Sequence, residues 1–140
     1  MTTWMIVEDE QELYEVIEAM FEIWGVDGVA FADGKEAVSW IDAVDKGQIT
    51  GELPELVLLD IRLPTLSGPE VGARLRRSPK LRNIAIILMT AFLLSPDEEK
   101  EAINLAQADA LIYKPFPEMQ TFHAILDSYL AKRKAASPTQ

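Results

Sequence analysis

Five side chains in this sequence are of types that could act together on one reactive group. They are the acid pair Glu8 and Asp9, the lone Asp60, the hydroxyl of Thr90 and the ammonium of Lys114. Each follows a short apolar run: Trp4-Met5-Ile6-Val7, Leu56-Val57-Leu58-Leu59, Ile84 to Met89, and Ala110 to Tyr113. Three close carboxylates repel each other and must find positive charge or take up protons. An oxygen-loving divalent ion resolves this, and Mg2+ (or Mn2+) suits a site of few carboxylates with room for water and phosphate oxygens. Lys114 would add fixed positive charge, and Thr90 a hydroxyl. Ala91 would add a backbone N–H beside a side chain too small to block entry. Such a set neutralises and positions a phosphoryl group in transfer. Asp60 would then be the nucleophile, forming an acyl phosphate.

Taken singly, each residue also has an ordinary structural role. An aspartate at a strand end is common because its side chain bonds nearby backbone. Glu8 and Asp9 suit a solvated helix N-terminus. Thr90 alone reads as a strand-end cap and Lys114 alone as a surface lysine. Lys114-Pro115 is an X–Pro bond whose cis form would aim the lysine, with trans as the base expectation. The joint occurrence at four strand ends is what the ordinary roles explain poorly.

The elements that must position these residues alternate. The run 56–60 reads as a strand buried on both faces. The helix after Glu10 carries Leu13, Val16, Ile17, Met20 and Trp24 at helical spacing, and Gly25 ends it. A second strand spans Val26 to Phe31. Asp33 with Glu36 reads as a capping box opening a helix on Ala37, Val38, Ile41 and Val44. A short helix runs from about Pro69 to Arg77, with proline in its first turn. Ser95-Pro96-Asp97-Glu98 opens the next, to about Gln107. Pro117 opens the last, with the stripe Met119, Phe122, Ile125, Leu126, Tyr129 and Leu130 and with His123 beside it, structural or exposed. Trp4, Trp24 and Trp40 read as core or rim. Five βα units predict a three-layer αβα sandwich, flavodoxin-like, around a five-stranded parallel sheet of order 2-1-3-4-5. In that order strands one and three are neighbours, so the three carboxylates converge at one edge, where such sheets bind ligands.

Composition narrows the function. A net charge of −10 argues against nucleic-acid binding through this chain and against docking to an anionic membrane, and is compatible with a cationic ligand. With no cysteine there is no disulfide, thiol nucleophile or cysteine zinc site, and one histidine makes no cluster. No basic n-region opens the chain and no apolar run approaches the ~20 residues of a membrane span. The chain is read as soluble and cytoplasmic. Residues 132–140, basic and then Ser/Pro-containing, are expected to be a disordered tail.

Four motifs carry a resemblance to a known family. They are Val7-Glu8-Asp9-Glu10, the D-x-x-x-P-x-x-x-G run from Asp60 to Gly68, Met89-Thr90-Ala91, and Lys114-Pro115-Phe116. Together they resemble the receiver domain of two-component response regulators, the CheY-like family, over residues 4 to about 131, within a domain placed at 1–131. The resemblance implies Asp60 as phosphoacceptor, and Mg2+ held by Asp9, Glu8, Asp60 and the backbone carbonyl of Arg62. It implies Thr90 as the switch hydroxyl and Lys114 as the lysine that bridges to the phosphoryl group. It also implies a histidine kinase or phosphotransfer protein as donor, and a downstream protein reading the face of helix four, strand five and helix five. A phosphorylation-dependent homodimer is compatible with it. An enzyme turning over external substrates is not expected.

Three positions depart from the family pattern. Leu111 stands where a switch aromatic is usual, and Tyr113 is the nearby aromatic, on the same strand face as Leu111. Glu8 replaces the commoner aspartate. Arg62 and Phe92 flank the mouth and could slow the water that hydrolyses an acyl phosphate. The alternatives are a receiver-shaped interaction module that is not phosphorylated, which intact Glu8, Asp9, Asp60, Thr90 and Lys114 disfavour, and an aspartyl-phosphate hydrolase of the haloacid-dehalogenase type. The latter needs an acid two residues after its nucleophile, where this chain has Arg62.

Overall fold

The computed structural model describes residues 2–136. The chain alternates β1 (Thr3–Val7), α1 (Gln11–Trp24), β2 (Asp27–Phe31), α2 (Gly34–Asp45), β3 (Leu56–Asp60), α3 (Gly68–Arg77), β4 (Ala85–Thr90), α4 (Pro96–Ala106), β5 (Ala110–Tyr113) and α5 (Met119–Ala136). All strand pairs are parallel, in the order β2-β1-β3-β4-β5. This is the expected sandwich, with the Asp60 strand in the middle.

Strand alternation divides the core in two. Trp4, Ile6, Leu56, Leu58, Ile87 and Met89 face α1 and α5, and pack on Ile17, Phe21, Phe122 and Leu126. Met5, Val7, Val57, Leu59, Ile86 and Leu88 face α2, α3 and α4. The apolar runs were therefore continuous because both faces of each inner strand are covered. Fully burying a side chain such as Phe122 or Leu126 contributes about 1.5–3 kcal/mol, which anchors α5 firmly. By the same parity Glu8, Asp60 and Lys114 continue the α1–α5 face past the strand ends.

Local sequence sets the helix ends. Gly25 at φ 73° closes α1, its N–H donating to the Glu22 and Phe21 carbonyls. Ser67 and Glu70 form a reciprocal capping box on α3, and Ser95 and Glu98 form one on α4. The capping box expected of Asp33 and Glu36 is one-sided among the described residues. Asp33 accepts from the N–H groups of Lys35 and Glu36, and its other partner is the Thr65 hydroxyl at 2.9 Å.

Two expectations need correction. Val16 is 52% exposed, and Phe21, four residues after Ile17, takes the buried place expected of it. The α1 stripe is thus rotated towards Ile17, Met20 and Phe21. The last helix also does not stop near residue 131. It continues to Ala136, where Arg133 pairs with Asp109 at 3.6 Å and Lys134 with Glu55 at 3.1 Å. Basic residues here satisfy a helix C-terminus and acids on the sheet edge, so disorder does not begin at Lys132. Residues 137–140 lie outside the described residues. His123 proves structural, stacked on Trp24 at 4.3 Å and paired with Asp127 at 3.4 Å.

Candidate active site

The sheet order brings the four strand ends together. Val7 is level with Leu59, so Glu8 and Asp9 leave β1 beside Asp60 at the end of β3. Asp60 is level with Met89, and Thr90 with Tyr113, so Thr90 and Lys114 flank it on the other side. Glu8 and Asp60 are buried and Asp9 is exposed. One oxygen from each of these three carboxylates lies within 4.8 Å of the others. At about 2.0–2.1 Å per bond, octahedral Mg2+ keeps adjacent ligand oxygens about 3 Å apart and opposite ones about 4.2 Å apart. The three acids therefore fit such an ion with small adjustments.

Lys114 bridges two of the acids. Its Nζ donates to Asp60 Oδ2 at 2.5 Å and to Glu8 Oε1 at 2.9 Å. Burial pulls the ammonium down, but its bonds to Asp60 and Glu8 outweigh this and hold it above its usual value. Glu8 Oε2 also accepts from the Glu10 N–H at 3.0 Å, and Asp60 Oδ1 from the Arg62 N–H at 2.8 Å. One ammonium against three acids leaves the pocket short of positive charge, which suits a cation.

Burial pushes the Glu8 carboxyl from 4.5 up to about 7, against the opposing pull of Lys114. A carboxyl raised on folding binds a proton in the folded chain that the unfolded chain has released. Between about pH 4.5 and 7, rising pH therefore costs stability. In EDTA, Glu8→Gln is expected to gain stability relative to the parent chain as pH rises through this window. Denaturant unfolding across the range measures the difference, and a constant offset would contradict it.

The remaining expected residues fall as follows. Thr90 is 1% exposed, and its Oγ1 accepts from the Phe92 N–H at 3.1 Å. Ala91 is exposed and lines a groove with Lys114, Pro115 and Phe116. The Lys114–Pro115 peptide is cis, not trans as the base expectation had it. The Arg62 guanidinium lies over the Phe92 ring, 3.8 Å from its centroid, so the two residues expected to flank the mouth are in contact with each other. Leu111 packs into the core on the α2–α4 face. Tyr113 reaches from that face to α4, where its hydroxyl donates to Glu99. Glu99 escaped the sequence reading, because an acid in the first turn of a helix is already explained by the helix dipole.

A doubly wound parallel sheet with an acid pocket, a hydroxyl and a lysine at its carboxyl edge defines a class of phosphoryl-accepting domains. The family model described as response regulator receiver domain matches residues 4–126. The chain is 33% identical over 126 residues to the polar-differentiation response regulator DivK of Brucella anthropi, covering 90% of this chain and 94% of that one. Its fold superposes with a TM-score of 0.79 on a CheY-like receiver domain protein from Methanospirillum hungatei, at 20% identity, covering 98% and 99% of the two chains. It also superposes with a TM-score of 0.75 on the receiver domain of a sensor histidine kinase from Pseudomonas aeruginosa, at 28% identity, covering 93% and 98%. That domain was solved with magnesium coordinated in its active-site cleft. The chain belongs to the response regulator receiver domain family.

Proposed function

We propose that Asp60 is the phosphoacceptor of this receiver domain. The observation that carries the reading is the lysine-bridged cluster, in which Lys114 holds Asp60 Oδ2 and Glu8 while Asp9 completes a three-acid pocket. A carboxylate oxygen of Asp60 attacks the phosphorus of a phosphohistidine on a sensor kinase or phosphotransfer protein. The P–N bond breaks, the new P–O bond makes an acyl phosphate, and the freed imidazole is reprotonated from solvent. Glu8, Asp9, Asp60 and the backbone carbonyl of Arg62 would hold Mg2+, which supplies positive charge to the phosphoryl oxygens. Lys114 follows the charge from the carboxylate onto the phosphoryl group. Thr90 brings its hydroxyl, and Ala91 its N–H, to the remaining oxygens. Hydrolysis by water returns the free carboxylate, without turnover of an external substrate. A downstream protein reads the change on the face of α4, β5 and α5.

The test is incubation with acetyl phosphate and Mg2+ followed by intact mass. One added phosphoryl group is expected, and none in EDTA. No adduct in either condition would leave a receiver-shaped interaction module as the better reading.

The Arg62–Phe92 pair bears on how long the adduct lasts. An exposed cation–π contact is worth about 0.5–1 kcal/mol. If it shields the acyl phosphate from water, Arg62→Ala and Phe92→Ala should each shorten the phosphoryl lifetime about two- to fivefold. Unchanged decay of the adduct after donor removal would discard this role.

A further inference from the structure

The turn that carries the chain from Asp60 to α3 holds a strained residue. Thr65 has φ 68°, a left-handed conformation that is especially unfavourable for a β-branched side chain. Among the described residues the other non-glycine with positive φ is Gln107, which closes α4 as its C-cap. Thr65 ends no helix, and glycine would take its conformation without steric cost. An outlier of this kind points to a task for the side chain.

The hydroxyl supplies that task. Thr65 Oγ1 accepts from the Lys35 N–H at 3.0 Å, and its one proton has two acceptors in reach, Asp33 Oδ1 at 2.9 Å and the Pro64 carbonyl at 2.6 Å. The bond from Thr65, ahead of those from the Glu36 and Lys35 N–H groups, holds the Asp33 carboxyl below its usual range. The Pro64 carbonyl also accepts from the Gly34 N–H at 3.2 Å and the Leu66 N–H at 2.8 Å. Gly34 is buried against the turn, and a Cβ there would stand 2.4 Å from the Leu66 carbonyl oxygen. Residues 64–66 are thus clasped to the first turn of α2.

The other end of the turn is fixed on the sheet. The Ile61 N–H donates to the Met89 carbonyl at 2.9 Å, the Arg62 N–H to Asp60 Oδ1 at 2.8 Å, and the Gly68 N–H to the Ile61 carbonyl at 2.9 Å. Arg62 and Leu63 span the gap between this end and the clasped Pro64. The Arg62 carbonyl, the main-chain oxygen proposed for the divalent ion, is therefore directed from both sides. An octahedral ion with bonds of about 2.0–2.1 Å tolerates little displacement of a ligand.

We infer that Thr65 is a positioning residue for the divalent-ion site, its hydroxyl clasping the turn to α2 so that the Arg62 carbonyl stays aimed at the acid pocket. The inference rests on the metal site proposed above. Thr65 is no ligand itself and acts through Pro64 and the backbone between Pro64 and Arg62.

The experiment titrates Mn2+ alone into the unphosphorylated chain, with the free ion counted by its electron paramagnetic resonance signal. It is run on the parent chain, Thr65→Gly, Thr65→Ala and Thr65→Ser, with denaturant unfolding in EDTA alongside. Glycine and alanine both remove the hydroxyl, but glycine fits a positive φ and alanine does not. Serine keeps the hydroxyl. Thr65→Gly and Thr65→Ala should each bind Mn2+ about fivefold more weakly, the factor that a hydrogen bond of ordinary net strength gives. Thr65→Ser should bind it as the parent chain does. Phosphorylation by acetyl phosphate should need about fivefold more Mg2+ in the two variants without the hydroxyl, with the rate at saturating Mg2+ unchanged. Equal Mn2+ affinity in all four chains, whatever their unfolding midpoints, would make the clasp merely structural and overturn the inference. Weakening confined to Thr65→Gly or to Thr65→Ala, or shared by Thr65→Ser, would trace the effect to the backbone and overturn it as well. A parent chain that binds no Mn2+ would instead overturn the metal site on which the inference rests.

Discussion

Asp60→Asn is expected to fold normally and to acquire no phosphoryl group from acetyl phosphate and Mg2+, a complete loss by intact mass. The substitution separates chemistry from structure because of how Asp60 is held. Its Oδ1 accepts the Arg62 N–H at 2.8 Å, and Oδ2 accepts from Lys114. An asparagine carbonyl can keep the first of these bonds, while its NH2 group gives up the second and lacks the lone-pair strength for attack at phosphorus. The charge balance moves in a favourable direction, since one lysine now faces Glu8 and Asp9 instead of three acids. With fewer like charges in one pocket, the unfolding midpoint in EDTA should be unchanged or higher. A variant that unfolds at parent-like denaturant concentrations and still gains a phosphoryl group would place the acceptor elsewhere.

The parts of this molecule that were legible in sequence are those fixed by periodicity and by strand ends. The five strands follow from apolar runs ending in polar residues, and the flavodoxin-like order expected of five βα units brings the ends of β1, β3, β4 and β5 to one edge. The shared strand face of Leu111 and Tyr113 follows from the period of two. What was not legible depends on which distant side chain a group meets. Helical spacing places Val16 and Ile17 on the same broad face, but only packing against Trp4 and Trp24 decides that Phe21 goes inward and Val16 outward. Ser67 and Glu70 carried a cap signature that the proline at position 69 overshadowed. Arg76 lies in the last turn of α3 with Arg74 and Arg77. In the fold its guanidinium bonds the carbonyls of Arg82, Ile84 and Gln107 and the carboxylate of Asp109, tying α3 to the segments that lead into β4 and β5. The Tyr113–Glu99 contact belongs to the same kind, a pairing across 14 residues with no local signal.

Gly68→Ala should show how closely the backbone constrains the site, with an expected loss of about 1–3 kcal/mol of stability and a marked fall in phosphorylation rate. A Cβ at this position would stand 2.0 Å from the Asp60 carbonyl oxygen, 2.8 Å from its carbonyl carbon and 3.0 Å from the Ile61 Cα. These atoms are all backbone, so no side chain can rotate to make room. The Gly68 N–H also donates to the Ile61 carbonyl at 2.9 Å, which draws the start of α3 onto the end of β3. Relief therefore requires pushing α3 away or displacing Asp60 itself. The second route misplaces the proposed nucleophile, and displacements of about 1 Å can cost a hundredfold in rate. Alanine at the first position of a helix recovers at most about 1 kcal/mol of intrinsic preference, too little to offset the clash. The glycine of the D-x-x-x-P-x-x-x-G run is thus explained by the carbonyl it must lie against. Denaturant unfolding and the time course of the phosphoryl adduct measure the two effects separately. Parent-like values for both would mean that the turn between β3 and α3 yields far more easily than this close approach implies.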